Sequence, residues 1–200
     1  MIIKASVVTN YVSLALMSTF TLMAVANNQI SVFYIVYLFW FDEILRTVSR
    51  FVFYIFKKQF IQNHLVFISN IKSKFFLLFV YFVFIVIFFG FIIDWKNQDL
   101  ILINFEVLLF QSSMFNFTLI TFIVRELFLF FKNEYETVSG NILLSKGIII
   151  LHISIIIGML IWGFLPKNFY ENSNSNMLSA IVIAPFLLLK LFFEIKTSKN

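Results

Sequence analysis

The chain has 200 residues, of which 61% are hydrophobic and 12% are charged, with a formal net charge of +5 and no cysteine. Soluble domains typically contain about 45–50% apolar and about 25% charged residues, so a water-soluble globular fold is excluded. Such an apolar composition also excludes a disordered chain. The missing cysteines exclude disulfide frameworks, thiolate metal sites and cysteine nucleophiles. The sequence therefore predicts an all-α membrane protein, a polytopic helix bundle with no soluble domain.

Six stretches are long and apolar enough to cross about 30 Å of hydrocarbon, which takes about 20 residues. In chain order they cover residues 5–26, 30–56, 75–93, 101–131, 147–165 and 177–194. Continuous apolar runs of this length predict helices, because the strands of membrane barrels are about 10 residues long and alternate in polarity. Residues 1–200 are thus predicted to form a single transmembrane domain of about six helices.

The first segment, 5–26, has two interpretations. It follows Lys4 and ends in Ala24-Val25-Ala26, a small-x-small pattern typical of a signal-peptidase site. The apolar region of a signal peptide is usually only about 7–15 residues long, however, and this run is longer. An uncleaved first helix is favoured, a cleaved signal peptide is the alternative, and the later topology is the same in both.

The lysines are distributed unequally between the two sides of the predicted bundle. One side would hold both termini and the loops after the second and fourth helices, with ten lysines: Lys4, Lys57, Lys58, Lys72, Lys74, Lys132, Lys146, Lys190, Lys196 and Lys199. The other side would hold only Lys96 and Lys167. Because positive residues favour the cytoplasmic side, both termini are predicted to be cytoplasmic, with the bacterial inner membrane as the expected location.

The longest loops in this topology are residues 57–74, 132–146 and 166–176. Loop 57–74 is basic and mixes apolar with polar residues. It is interpreted either as a short amphipathic segment in the membrane interface or as a solvated extension of the second helix. Segment 166–176 is predicted to be an outer loop. The sequence shows no internal repeat, so the inverted repeats of many transporters are missing.

Charged residues inside the second predicted helix are the most informative feature of the sequence. A charge at the centre of a membrane helix costs about 2.5–3.5 kcal/mol on insertion scales, so such residues usually face the bundle interior and have partners. Four-residue spacing places Asp42, Arg46 and Arg50 on one face, with Glu43 one position round. Counting from Lys57 at about 1.5 Å per residue puts Asp42 near mid-depth and Arg50 within snorkelling reach of the headgroups.

Three more ionisable residues are predicted at the depth of Arg50. They are Arg125 and Glu126 in the fourth helix and His152 in the fifth. Neighbouring residues on a helix point about 100° apart, so Arg125 and Glu126 are predicted to be poor partners for each other. Arg125 is expected to pair with Asp42 or Glu43 instead. His152 is interpreted either as a proton relay or ligand or, as favoured here, as a hydrogen-bonded packing residue.

The candidate site of the sequence comprises these intramembrane residues: Asp42, Glu43, Arg46, Arg50, Arg125, Glu126 and His152. An ion or proton pathway is one interpretation, and a neutral salt-bridge network that joins the second and fourth helices is the favoured one. No metal-binding, nucleotide-binding or cofactor motif is found in the sequence. Lipid and other membrane subunits are therefore the expected partners, and the positive net charge follows from topology without any nucleic acid.

Two stretches resemble a known family. They are residues 34–43, Tyr-Ile-Val-Tyr-Leu-Phe-Trp-Phe-Asp-Glu, and residues 145–158, Ser-Lys-Gly-Ile-Ile-Ile-Leu-His-Ile-Ser-Ile-Ile-Ile-Gly. Together they resemble a family of bacterial multi-pass membrane proteins known only as a domain of unknown function. Members of that family have an aromatic-acidic pattern in an early helix and a basic residue, a His and a Gly in a late one. The resemblance implies a class of membrane protein and no activity.

Three functions follow as hypotheses. A structural or accessory role in a membrane complex is favoured, because the sequence lacks repeats and catalytic motifs. A small transporter or channel that uses the intramembrane Asp, Glu and Arg residues is the alternative. A membrane-embedded enzyme acting on lipid would need a base and an electrophile that face lipid, and only His152 and Glu126 could serve. No catalytic residue and no cofactor is predicted.

Overall fold

The computed structural model describes residues 5–61, 63–132, 145–164 and 175–198, and every regular element in these ranges is helical. The α-helices are α1 (Ala5–Ala26), α2 (Val32–Phe56), α3 (His64–Phe84), α4 (Gln98–Leu108), α5 (Ser113–Lys132), α6 (Lys146–Phe164) and α7 (Ser175–Ser198). A 3-10 turn, Lys58–Phe60, follows α2, and a π-helix, Ile85–Ile92, continues α3. The prediction of an all-α protein is confirmed.

Four helical stretches are long and apolar enough to cross a membrane: Val7–Ala26, His64–Ile92, Gln98–Lys132 and Lys146–Phe164. They correspond to the first, third, fourth and fifth predicted segments, whereas α2 and α7 correspond to the second and sixth. Lys4, Lys167 and Lys199 lie outside the described residues, as do most of the predicted loops 132–146 and 166–176.

α2 is the central helix of the bundle. Helices α3, α5, α6 and α7 pack around it, and α1 lies further out against α5 and α7. Residues 33–39 of α2 are all buried, which is typical of a helix that is apolar all round. The helix is capped at its start by Ser31, whose Oγ accepts a hydrogen bond from the Tyr34 amide at 3.1 Å.

α3 begins earlier than the sequence predicted. The third segment was expected to start at residue 75, but the helix starts at His64, where the Asn63 side chain accepts a hydrogen bond from the Val66 amide at 3.3 Å. Residues 64–74 are therefore the first turns of α3 and not an extension of α2, which ends at Phe56. Polar residues lower the hydropathy of this stretch, although Ile71 is buried in the bundle.

The fourth predicted segment, 101–131, is divided into two helices. At the end of α4 the Gln111 amide donates to the Glu106 carbonyl at 2.7 Å, and Phe110 takes a left-handed φ of 59°. The left-handed residue at the C-terminal end of a helix is usually Gly or Asn, so Phe110 is an exception. The Phe110 ring lies 5.5 Å from the Phe41 ring, which places the break beside the middle of α2.

The π-helix leaves backbone carbonyls that α4 satisfies. Its wider hydrogen-bond spacing is seen at Ile93, whose amide donates at 2.9 Å to the carbonyl five residues earlier. The buried Nδ2 of Asn104 lies 3.4 Å from the Phe89 carbonyl and 3.2 Å from the Gly90 carbonyl. Ser31 Oγ donates to Asn104 Oδ1 at 2.6 Å. One asparagine thus joins α2, α4 and the π-helix at one end of the bundle.

Candidate functional site

Eight charged side chains lie in the interior of the bundle, and we refer to them as the ion-pair cluster: Asp42, Glu43, Arg46, Lys74, Arg125, Glu126, Lys190 and Glu194. They project from α2, α3, α5 and α7. Four are acids and four are bases, so their formal charges sum to zero. All except Arg46 and Glu194 are at most 4% exposed. An isolated buried charge is strongly destabilising, and these pairings offset that cost.

Asp42 is the centre of the larger part of the cluster. Its Oδ1 lies 3.1 Å from Arg46 Nε and also accepts a hydrogen bond from Arg125 Nη2. Lys190 Nζ donates to the other carboxylate oxygen, Oδ2. Arg46 in turn reaches Glu194 Oε1 at 3.1 Å. A single buried carboxylate therefore joins α2 to α5 and to α7.

Glu43 forms the second part of the cluster, one position further along α2. It makes an ion pair with Lys74 of α3 and accepts a hydrogen bond from Ser145 Oγ at 2.7 Å. Ser145 directly precedes α6, so the carboxylate lies at the N-terminal end of that helix, where the helix dipole favours negative charge. A Cβ atom on Gly147 would overlap this carboxylate. The glycine therefore allows α6 to approach α2 closely at this point.

Aromatic rings cover two of the bases. The Nζ of Lys190 lies 5.6 Å from the centre of the Phe39 ring, and Cζ of Arg125 lies 5.2 Å from the centre of the Phe122 ring. A cation over a ring face is attracted by the electron density of the ring. Both bases are almost fully buried, so they are held by protein groups rather than by hydration.

The structure brings together five of the residues that the sequence singled out: Asp42, Glu43, Arg46, Arg125 and Glu126. The expected pairing of Arg125 with an acid of α2 is present, and the acid is Asp42. Arg50 is half-buried and forms no ion pair with the described residues. His152 lies apart from the cluster on the exposed surface of α6, and its Nδ1 is 2.9 Å from the hydroxyl oxygen of Tyr81.

The prediction that Arg125 and Glu126 are poor partners was wrong. Arg125 Nε lies 2.9 Å from Glu126 Oε1, and Nη2 lies 2.8 Å from the same oxygen. The arginine side chain is long enough to reach Glu126 although neighbouring positions on a helix point about 100° apart. Its planar guanidinium carries five donors in a fork, so it binds Asp42 and Glu126 at the same time.

The hypothesis of a lipid enzyme required His152 and Glu126 to act together, and the structure does not bring them together. Glu126 is buried against Arg125. His152 is exposed and is bonded to Tyr81. The described residues therefore give no support to an acid-base pair made of these two side chains.

The chain matches no protein-family model, no curated protein and no solved structure. The resemblance of residues 34–43 and 145–158 to a bacterial family stays an expectation from those residues alone. Among the described residues, no group of three His, Asp or Glu side chains could hold a metal ion. The site is thus characterised by its geometry, a neutral set of ion pairs that joins four helices.

Three members of the cluster were missed in the sequence: Lys74, Lys190 and Glu194. The lysine distribution assigns the two lysines to the cytoplasmic side instead. Lys190 and Glu194 are four residues apart within an apolar run, and their charged atoms lie 3.8 Å apart, a spacing that marks a helical pair. Lys74 lies three residues after Ile71, and this spacing would have placed it on the buried face of a longer third helix.

Proposed function

We propose that this chain is a multi-pass membrane protein of about six spans that serves as a structural or accessory subunit of a larger membrane complex. The observation that carries the proposal is a hydrogen-bonded pair of polar side chains, Tyr81 and His152, on the outside of the bundle. The ion-pair cluster in the interior supports the structural part of the proposal.

The spans are supported by the apolar helices and by the pairing of charges. The four stretches that are apolar enough to cross a bilayer account for α1, α3 with its π-helix, α4 with α5, and α6. α2 and α7 are proposed as the remaining two spans. Their charges in the ion-pair cluster have partners inside the bundle, which offsets much of the cost of placing them in hydrocarbon.

The orientation rests on the lysines, with one adjustment. Lys74 and Lys190 are buried in ion pairs, so they no longer count as loop charges. Ten lysines less these two leaves eight on one side, against Lys96 and Lys167 on the other. The excess still favours cytoplasmic termini, with the bacterial inner membrane as the proposed location.

The pair of Tyr81 and His152 indicates a partner protein. At about 1.5 Å per residue, His152 lies about 9 Å from Lys146, which marks the cytoplasmic end of α6. Polar side chains at that depth almost always face protein rather than lipid, yet His152 is exposed. Its Nε2 has no hydrogen-bond partner among the described residues. A helix of another subunit that covers this surface would restore the usual burial of such a residue.

The test is to purify the tagged chain from its native membrane in polymer-bounded lipid discs and to measure the mass of the particle. We expect a discrete complex that contains a second protein in fixed proportion. His152→Leu should release that protein while the chain keeps its thermal stability, because His152 is exposed and its one hydrogen bond within the described bundle is to Tyr81.

The matched control is His64→Leu, the same change at the other histidine of the chain. His64 lies at the start of α3 beside the Tyr54 ring, at 6.2 Å, and this variant should keep the complex intact. A wild-type particle that contains the chain and lipid alone would contradict the proposal. Equal losses in the two histidine variants would show that the surface around His152 is not the contact.

The alternative function is a small transporter or channel that uses the acids and arginines of the cluster. It would require Asp42 or Glu43 to exchange its protein cations for a transported one. Asp42 contacts Arg46, Arg125 and Lys190, and this arrangement weighs against such an exchange. Flux of protons or sodium ions into vesicles that contain the purified chain, lost in a folded Asp42→Asn variant, would favour transport over the structural role.

A further inference from the structure

A cavity of about 230 Å³ lies at the end of the bundle where α2 begins. Its walls come from the start of α2, the segment after the π-helix, α4, α6 and α7. It shares no residue with the ion-pair cluster, which lies further along α2. The cavity is therefore separate from the ion-pair cluster.

Asp94 is the one charged residue among those that line the cavity. The Nδ2 of Asn104 donates to its Oδ2 at 3.1 Å, and Asn104 is itself buried and held by Ser31. No lysine or arginine pairs with Asp94 in the ranges that the structure describes. The carboxylate is thus held by a neutral hydrogen-bond donor and has no counter-ion among the described residues.

The rest of the cavity wall is largely apolar and includes Leu100, Ile161, Trp162, Val182 and Ile183. The Trp162 ring is itself positioned by an edge contact with the Phe88 ring, with 5.9 Å between centroids. An indole face attracts a cation as well as apolar surface. Carboxylate, indole and aliphatic side chains together match a molecule with one positive charge and an apolar body.

We propose that this cavity binds a small organic cation, an ammonium group on an apolar body, with Asp94 as its counter-ion. An anion is repelled by the carboxylate, and a neutral apolar molecule leaves that carboxylate without a partner, which is costly in an apolar site. Pockets for drug-sized ligands measure about 300–1,000 Å³. The smaller cavity limits the ligand to the size of a simple amine. The proposal does not depend on the partner subunit proposed above.

The test uses three probes of the same shape and different charge: para-fluorobenzylammonium, para-fluorobenzyl alcohol and para-fluorophenylacetate. Their binding to the whole chain in nanodiscs is measured by fluorine NMR, and empty nanodiscs correct for partition into lipid. For the wild type we expect the ammonium to bind at least tenfold more tightly than the alcohol, and the carboxylate not to bind. Equal binding of the three probes would overturn the proposal without any variant.

The second part of the test repeats these binding measurements on the variant Asp94→Asn. An asparagine oxygen can still accept the hydrogen bond from Asn104, so the cavity should keep its shape. We expect the variant to lose at least tenfold in affinity for the ammonium and to bind the alcohol as before, and the retained binding of the alcohol reports an intact cavity. The matched control is Asp99→Asn, which removes a carboxylate from the exposed surface of α4. Unchanged ammonium affinity in Asp94→Asn, or an equal loss in Asp99→Asn, would overturn the proposal.

Discussion

Glycine is needed at position 147 because of a single neighbouring side chain, that of Glu43. The carboxylate of Glu43 occupies the position that a Cβ atom would take, because it turns toward Ser145 at the start of α6. Gly163, near the other end of α6, has no atom of another residue within 4 Å of such a Cβ. Gly147 and Gly163, two of the three glycines of α6, therefore have opposite environments.

This contrast gives the first prediction. Gly147→Ala should lower the free energy of unfolding by about 1–3 kcal/mol, the usual cost of forcing extra volume into a packed interior. Gly163→Ala should cost nothing, because alanine favours helix over glycine and meets no neighbour there. Thermal unfolding of both variants in the same detergent measures the difference, and equal melting temperatures would contradict the packing argument.

Asp94 provides a prediction about pH. Burial raises the pKa of its carboxyl above the ordinary value of 3.8, and the hydrogen bond from Asn104 opposes this only in part. The folded state therefore keeps the proton to higher pH than the unfolded state does. The charged carboxylate lowers stability above the raised pKa, and this loss is relieved as the pH falls through that pKa toward 3.8.

The expected result is a change in stability relative to Asp94→Asn, which carries no titrating group. The free energy of unfolding of the wild type should rise relative to the variant as the pH falls from 7 to about 4, by about 1.4 kcal/mol for each unit by which the pKa is raised. Unfolding curves at a series of pH values measure this difference. Parallel pH profiles of the two proteins would contradict a buried, titrating Asp94.

At the scale of the helices, the two parts of the ion-pair cluster differ in how their charges are shared. Among the described residues, Glu43 has one ion-pair partner, Lys74, whereas Asp42 is shared by Arg46, Arg125 and Lys190. A single pair can be removed as a unit and leaves little behind. A shared carboxylate cannot be removed together with one base in this way, because the other bases that it binds remain in the interior.

Double substitutions should reveal this difference. Lys74→Met alone should cost about 3–5 kcal/mol because it leaves Glu43 unpaired, and Glu43→Gln with Lys74→Met should recover most of that loss. Asp42→Asn with Arg125→Met should recover a smaller part of the loss caused by Asp42→Asn, since Lys190 and other bases stay without that acid. Unfolding free energies of the four proteins in each cycle measure the coupling. Equal recovery in both cycles would contradict the shared arrangement.

The sequence predicted most of the helices because apolar runs of membrane length are strong signals. It missed the first turns of α3, since hydropathy falls where a helix presents one polar face. It also missed the break after α4, because Phe110 gives no sign of a left-handed residue. The Asn63 cap and the three- and four-residue spacing of buried positions indicate the start of α3 in the sequence, but nothing local indicates the break.

The candidate site was predictable in part for a similar reason. The spacing of Asp42 and Arg46 on one helix identified the centre of the cluster, because neighbours on a helix face can be read from sequence. The contacts with Lys74 and Lys190 depend on how helices pack against each other, which spacing within one helix does not give. The cavity beside Asp94 was not predicted at all, since its walls come from residues distant in the chain.

At the scale of the whole molecule, the lysine distribution predicts the topology. Alkaline phosphatase, which is active only outside the cytoplasm, should be active when fused after Phe169 and inactive when fused after Lys199. Both positions lie outside the described residues, so this prediction rests on the loop charges and on the alternation of spans. Enzyme activity in whole cells provides the measurement, and the reverse pattern would contradict cytoplasmic termini.

The bond between Asp42 and Lys190 spans 148 residues of sequence, and this has a consequence for biosynthesis. The ribosome produces α2 long before α7, so the early helix must wait in the insertion machinery, or in the bilayer, without one of its final partners. The last helix is therefore needed to complete the interior of the first ones. A chain that stopped after α6 would leave Asp42 without Lys190 and Arg46 without Glu194, a packing defect that a quality-control protease could detect.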